Sequence, residues 1–98
     1  MEGVAPSHQE TYGEDPFHVG ELGAALTRGL QRNVMACVKH FACNSMENAR
    51  FSVDIEVDEV ALHEVYLPHF RRIIQEGVAS VMTGYNSVNG EWWARAQR

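Results

Sequence analysis

The sequence predicts an α/β fold in which two short buried strands pair in parallel beneath helices. Two short, mostly apolar runs, at residues 34–38 and 78–82, are typical of strands that are covered on both faces. A long segment with helical periodicity lies between them, and another helical segment precedes the first run. The order strand, helix, strand implies a right-handed crossover connection, which makes the two strands parallel neighbours.

The first helix is predicted over residues 14–33. Asp15 can accept hydrogen bonds from the free N–H groups of the first turn, and Pro16 suits the first helical position. Apolar side chains recur at helical spacing, and these are Val19, Leu22, Leu26 and Leu30. The adjacent carboxyl groups of Glu14 and Asp15 are therefore interpreted as a helix start rather than as an acid–base pair.

Two further segments carry no helical period. Residues 50–59 alternate strictly between apolar and polar side chains, which predicts a half-exposed extended segment. The apolar side chains that share one side of it are Phe51, Val53, Ile55 and Val57. Residues 83–91 follow the second apolar run and contain several Gly and Asn residues, which predicts a loop.

The second helix is predicted over residues 59–77. Asp58 can cap its first turn, and Gly77 can end it. Pro68 lies inside this helix and is expected to kink it, because proline lacks the N–H group that the preceding turn needs. The predicted buried stripe of the helix comprises Leu62, Tyr66, Phe70 and Ile74.

Composition and charge argue against two classes of partner. The 98 residues include 13 acidic and 8 basic side chains, which gives a net charge of −5, and no basic tract stands out. A nucleic-acid partner is therefore not expected. No apolar run approaches the roughly 18–20 residues that span a membrane, so no membrane partner is expected. The N-terminal sequence lacks the pattern of a signal peptide, which leaves the compartment open.

The two cysteines, Cys37 and Cys43, allow at most one bridge. Their spacing around His40 matches no known zinc-binding pattern, and they are interpreted as small apolar thiols. The sequence therefore predicts neither a metal site nor a cofactor.

Polar side chains follow both predicted strands at their carboxyl ends. Lys39 and His40 come directly after the first run, and Tyr85 and Asn86 lie just past the second. In parallel α/β folds this edge of the sheet is where ligands bind. The pattern is consistent with a ligand site at this rim. A solvated lysine and a structural histidine at a strand end fit the same pattern, and spacing alone leaves both interpretations open.

A series of motifs resembles family 3 of the glycoside hydrolases, the β-glucosidase and β-xylosidase group. The series comprises YGEDP at a helix start, KHF after a strand, a downstream NxR, a VDE-x-x-L-x-E-x-Y-L-P-x-F helix, and a VMxxYNxxNGE strand and loop. The resemblance covers about residues 10–91 and implies part of a (β/α)8 TIM-type barrel, with about two parallel strands and two main helices. It also implies retaining hydrolysis of β-linked glucosides from the non-reducing end.

The resemblance implies which side chains contact the sugar. Lys39 and His40 match a pair that hydrogen-bonds sugar hydroxyls, and Arg50 matches a further polar contact in that pocket. Met82 and Tyr85 match the apolar and phenolic lining near the reacting carbon. A β-glucoside or a related oligosaccharide is the ligand that these residue types suit, because adjacent hydroxyls can bind Lys and imidazole while a thioether or aromatic wall covers the ring.

The resemblance places no catalytic residue within this chain. A retaining glycosidase needs two carboxyl groups about 5–5.5 Å apart, and the family's nucleophilic Asp and acid/base Glu correspond to positions beyond Arg98. An arginine of the family corresponds to Ser7, with Pro6 beside it. Residues 1–98 are therefore expected to be a fragment of the N-terminal catalytic barrel that associates with the missing remainder or with itself. The alternative is a non-catalytic remnant that at most binds sugar weakly or packs against a partner.

Overall fold

Two main helices and a pair of parallel strands organise the chain. The computed structural model describes residues 12–44, 49–93 and 95. The elements are α1 (Pro16–Leu30), β1 (Cys37–Phe41), β2 (Asp54–Ile55), α2 (Glu59–Ala61), a π-helical turn (Leu62–Tyr66), α3 (Pro68–Gln75), β3 (Ser80–Thr83), β4 (Ser87–Val88) and β5 (Glu91–Trp92). β1 and β3 pair in parallel, while β2, β4 and β5 form a second small sheet. The predicted α/β class and the parallel pairing are confirmed.

α1 begins at the predicted cap but buries a different face. The backbone N–H of Phe17 donates to Asp15 Oδ1 at 3.0 Å. The buried positions are Gly20, Ala24 and Thr27. The helical spacing of the apolar side chains is confirmed by α1, although Leu22, Leu26 and Leu30 are exposed in the described structure. The reason is that α1 lies close against α3, and only small residues permit that approach.

The second predicted helix is divided by the π-helical turn Leu62–Tyr66, which lies just before Pro68. Asp58 caps its start, since Ala61 N donates to Asp58 Oδ1 at 2.8 Å. Leu67 N then donates to Leu62 O at 3.0 Å, a five-residue step that accommodates the missing N–H of Pro68. The extra residue in this turn shifts the phase of the helix. The side chains that pack inward are therefore Leu62, Leu67, Phe70 and Ile73, whereas Tyr66 and Ile74 of the predicted stripe are exposed.

Both paired strands begin later than predicted and are less covered. β1 starts at Cys37, and Val34 and Met35 are 59% and 86% exposed. All four residues of β3 are exposed. The expectation of strands covered on both faces is therefore wrong for the described structure. α1 packs on α3, and the described residues provide no second layer over β3.

Residues 83–91 are not a plain loop, because they contain a β-hairpin. β4 and β5 pair antiparallel around Asn89 and Gly90, whose φ angles are +50° and +84°. This is the two-residue turn that an Asn-Gly pair favours. The Asn89 side chain also accepts from Val57 N at 3.0 Å and donates to Val57 O at 2.8 Å, which ties the extended segment to the hairpin.

The core lies where the end of β1 meets α3 and the hairpin. Its buried members are Ala42, Cys43, Phe70 and Val88. The ring of Phe41 meets Phe70 edge-on at 5.1 Å and Trp93 at 4.8 Å between centroids. The apolar contacts therefore fix the segment that directly follows Lys39 and His40. None of the helices in the described ranges is long and apolar enough to cross a membrane.

Candidate functional site

The carboxyl ends of β1 and β3 lie at one edge of their sheet. The pairing register runs from Cys37 opposite Ser80 to Phe41 opposite Thr83. Gly84 N donates to Phe41 O at 2.6 Å, which extends the contact past the end of β3. Lys39 and His40, near the end of β1, therefore lie at the same rim as Tyr85, as the buried-strand pattern predicts.

The Lys39–His40 pair lies in an irregular part of β1. The pairing register shifts between Val38 and Phe41, and the Lys39–His40 and Phe41–Ala42 peptide bonds are cis. Consecutive side chains of a regular strand point to opposite faces of the sheet. Here both Lys39 and His40 line one cavity. Both predicted sugar-binding residues therefore border the same cavity.

This cavity lies between α1, β1 and the helical segment that ends in α3. It has a volume of about 690 Å³, within the range of roughly 300–1,000 Å³ that is usual for ligand pockets. Leu26 and Ile73 contribute apolar side chains to its wall, and Tyr66 and His69 contribute polar ones. The cavity wall thus contains both apolar and polar side chains, as ligand pockets usually do.

Arg50 and Tyr85 form a second group that does not line this cavity. The Arg50 guanidinium carbon lies 4.8 Å from the centroid of the Phe51 ring and 5.5 Å from that of the Tyr85 ring. The two rings are 4.7 Å apart and tilted by 38°. These distances are those of cation–π contacts. Met82, in β3, is 38% exposed and also lies outside the described cavity wall.

Phe51 is a member of this group that sequence reasoning missed. The alternating pattern assigns it to the buried side of the extended segment, yet it is 64% exposed and lies in a turn before β2. The available signal was its position next to Arg50, since an exposed aromatic residue beside an arginine can share a stack with it.

Burial perturbs two titratable groups on the cavity wall. Desolvation lowers the pKa of His69, whose Nδ1 is buried and has no hydrogen-bond partner among the described residues. Desolvation also raises the pKa of the Cys43 thiol to about 11. Both cysteines are free, and Cys43 therefore stays a neutral thiol at physiological pH. The described ranges contain no cluster of His, Cys, Asp and Glu that could hold a metal ion.

The cavity does not supply a pair of carboxylates. Among the described residues that line it, Glu14 is the one carboxylic acid. Asp54 is engaged elsewhere, since its carboxylate accepts from Ser87 Oγ at 2.7 Å and from Gly90 N at 3.0 Å. These hydrogen bonds lower the pKa of Asp54 and give it a structural role. Pro6, Ser7 and the Asn of the NxR motif lie outside the described residues.

Comparison with known proteins identifies the family. The model of the glycosyl hydrolase family 3 N terminal domain matches residues 3–98. Beta-glucosidase BoGH3A of Bacteroides ovatus is 43% identical over 83 residues, which cover 83% of this chain and 11% of that protein. Beta-glucosidase B of Emericella nidulans is 47% identical over 83 residues, which cover 83% of this chain and 10% of that protein.

Solved structures show the same relationship. Beta-glucosidase 3B from Thermotoga neapolitana, in complex with glucose, superposes with a TM-score of 0.87 at 38% identity and covers 92% of this chain. The beta-glucosidase from Kluyveromyces marxianus in complex with glucose has a TM-score of 0.86 at 37% identity and the same coverage. The chain spans about a tenth of the length of these relatives. It belongs to family 3 of the glycoside hydrolases, and its α/β fold is part of the (β/α)8 barrel of the N-terminal domain.

Proposed function

We propose that this chain supplies part of the sugar-binding subsite of a barrel that hydrolyses β-linked glucosides with retention of configuration. The observation that carries the proposal is the joint position of Lys39 and His40, which lie side by side at the rim of β1 and line one cavity. The parallel strands put this rim where barrel enzymes bind their substrates. The glucose complexes of the relatives are consistent with a sugar as the ligand.

Lys39 and His40 suit adjacent sugar hydroxyls for chemical reasons. A lysine ammonium donates up to three hydrogen bonds, and an imidazole can donate from one nitrogen while it accepts at the other. Two neighbouring hydroxyls can therefore be held in a fixed orientation by the pair. Such contacts increase the rate only if they strengthen as the oxocarbenium-like transition state forms.

Arg50, Met82 and Tyr85 are proposed to form a separate part of the subsite at the same rim, outside the cavity that Lys39 and His40 line. The cation–π contacts of Arg50 with Phe51 and Tyr85 restrict its side chain, which reduces the entropy that a sugar contact would cost. The thioether of Met82 and the phenol of Tyr85 are both partly exposed at the end of β3. Such groups can cover the apolar face of a sugar ring.

The catalytic carboxylates are proposed to come from outside this chain. The described cavity wall contains the single carboxylic acid Glu14, and retaining hydrolysis needs two carboxyl groups across the scissile bond. The chain is therefore proposed to bind a non-reducing-end sugar without hydrolysing it alone.

Histidine NMR during a glucose titration of the full chain tests this proposal. The imidazole C–H signals of His40 are expected to shift saturably, whereas those of His18 and His63 stay fixed, because both are exposed away from the cavity wall. Lys39→Ala is expected to weaken binding about tenfold or more, as the loss of a hydrogen bond from a charged donor predicts. Sorbitol, an acyclic polyol, is the control ligand.

Two outcomes would contradict the proposal. One is the absence of any His40 shift near the solubility limit of glucose. The other is an equal shift of all three histidines, which would indicate a solvent effect and would favour the alternative of a remnant without a sugar site.

A further inference from the structure

The segment that follows Lys39 and His40 is held through two consecutive carbonyl groups. The oxygen of Phe41 accepts from Gly84 N at 2.6 Å. The oxygen of Ala42 accepts from Asn86 Nδ2 at 3.0 Å and from Trp93 Nε1 at 2.9 Å. Ala42 itself is completely buried. The end of β1 is therefore anchored by backbone and side-chain donors together.

The two donors to Ala42 lie at either end of one hairpin. Asn86 directly precedes β4, and Trp93 directly follows β5. The indole ring also packs edge-on against Phe41, with 4.8 Å between centroids. The hairpin thus contacts the end of β1 through a polar clamp on Ala42 and an apolar contact on Phe41. Neither Asn86 nor Trp93 lines the cavity described above.

The buried amide at position 86 is only partly satisfied by hydrogen bonds. Asn86 is 0% exposed, and its Oδ1 has no hydrogen-bond partner among the described residues. An unpartnered buried acceptor costs free energy of folding. Gly84 also has to stay small, because a Cβ atom there would lie 2.5 Å from Asn86 Oδ1. In return the amide nitrogen donates to Ala42 O at 3.0 Å and to Ser87 O at 3.3 Å, and a partly unsatisfied buried polar group is expected where function needs it.

We propose that Asn86 and Trp93 are positioning residues that hold Lys39 and His40 toward the sugar through the carbonyl of Ala42. This inference rests on the proposed function, since it assigns a role toward the same subsite. Neither residue touches the sugar. Loss of one donor leaves the other in place, so the end of β1 loosens while the rest of the fold is retained.

Hydrogen–deuterium exchange of the full chain, read by mass spectrometry, tests the inference with a matched pair of substitutions. Trp93→Phe removes the indole N–H and keeps an aromatic ring beside Phe41. Trp92→Phe is the control, because it makes the same change one residue away at an exposed position of β5. Asn86→Ala removes the second donor independently.

The expected result is local. Peptides that cover residues 37–44 should exchange about two- to tenfold faster in Trp93→Phe and in Asn86→Ala, as the loss of one hydrogen bond predicts, while α1 and α3 stay unchanged. The glucose concentration that half-protects residues 37–44 should rise by a similar factor. Trp92→Phe should change neither quantity.

The other outcomes separate this inference from the proposed function. Unchanged exchange at residues 37–44, or loosening that spreads equally over α1 and α3, overturns the positioning role. Local loosening without any change in the glucose midpoint also overturns it and leaves the proposed function standing. If the unaltered chain shows no protection by glucose, the proposed function fails, while local loosening would still support the clamp on Ala42.

Discussion

Because α1 and α3 approach each other closely, substitution of two glycines of α1 by alanine is expected to change the free energy of unfolding in opposite directions. At Gly20, a Cβ atom would lie 3.2 Å from both His69 Cα and Arg72 Cβ, so the backbone of α3 would have to move. At Gly29, in the same helix, a Cβ atom would meet nothing within 4 Å. Gly20→Ala and Gly29→Ala therefore make the same chemical change, the first at a closely packed position and the second at a position without neighbouring atoms.

The size of the effect follows from two terms. Alanine is more favourable than glycine in a helix interior by about 1 kcal/mol. Overpacking against a neighbouring backbone costs about 1–3 kcal/mol. Gly29→Ala should therefore raise the free energy of unfolding by about 0.5–1 kcal/mol. Gly20→Ala should lower it by up to about 2 kcal/mol, because the packing cost exceeds the gain in propensity.

Urea denaturation followed by far-ultraviolet circular dichroism measures both variants against the unaltered chain at one protein concentration. The midpoint of Gly29→Ala should move to higher urea and that of Gly20→Ala to lower urea. Equal stabilisation by both substitutions would show that α1 does not lie against α3 at the distance described.

Three further predictions concern catalysis, acid stability and association. The free chain should not hydrolyse an aryl β-glucoside above background; turnover that survives repurification and disappears in His40→Ala would show a carboxylate pair that this account lacks. Hydrogen bonds from Ser87 and Gly90 lower the pKa of Asp54 in the folded chain. These hydrogen bonds therefore stabilise the fold above the pKa that Asp has in the unfolded chain, about 3.9, and this stabilisation is lost as the pH falls through the folded pKa. Asp54→Asn should flatten the acid decline of the urea midpoint, and an identical decline in both proteins would refute this. β3 presents exposed apolar side chains beside a sheet edge with which no described strand pairs. The chain should therefore associate, so its sedimentation coefficient should rise with protein concentration, and Val81→Lys should reduce that rise. A single monomeric species at every concentration would contradict this prediction.

The elements that local sequence determines were predicted well. Asp15 and Asp58 act as helix caps in the structure because a carboxylate next to free N–H groups needs no distant partner. The parallel pairing of β1 and β3 follows from the order of elements and from the handedness of crossovers. The position of Lys39 and Tyr85 at one rim follows in turn, because the carboxyl ends of parallel strands share an edge.

The features that were missed depend on contacts between distant segments. The buried face of α1 is its small face because α3 lies against Gly20, and no period along α1 reveals that neighbour. In the second helix, a different set of side chains points inward after the π-helical turn Leu62–Tyr66, because this turn before Pro68 contains one more residue than an α-helical turn. The hairpin around Asn89 was signalled by its Asn-Gly pair, yet the run of turn residues led to the prediction of a loop.

The candidate site likewise has features that could be predicted from the sequence and features that could not. The position of Lys39 and His40 at the rim could be predicted because they follow an apolar run directly, whereas Arg50 came from the resemblance alone. The stack of Arg50 with Phe51 and Tyr85 joins residues that are 34 positions apart, a contact that no local pattern predicts. The clamp on Ala42 could not be predicted either. Its acceptor is a backbone carbonyl, and every residue has one, so the sequence does not indicate which carbonyl accepts the two hydrogen bonds.

The central claim is that Lys39 and His40 hold the sugar, and a segment exchange tests it most directly. The matching segment of beta-glucosidase 3B from Thermotoga neapolitana is replaced by this chain, and kcat/KM is measured with an aryl β-glucoside. We expect an active chimera in which Lys39→Ala and His40→Ala each lower kcat/KM about 10- to 150-fold, as the loss of a charged hydrogen bond predicts. Glu64→Gln, at an exposed position outside the cavity wall, should leave kcat/KM unchanged. An active chimera whose kcat/KM is changed by neither Lys39→Ala nor His40→Ala would contradict the claim.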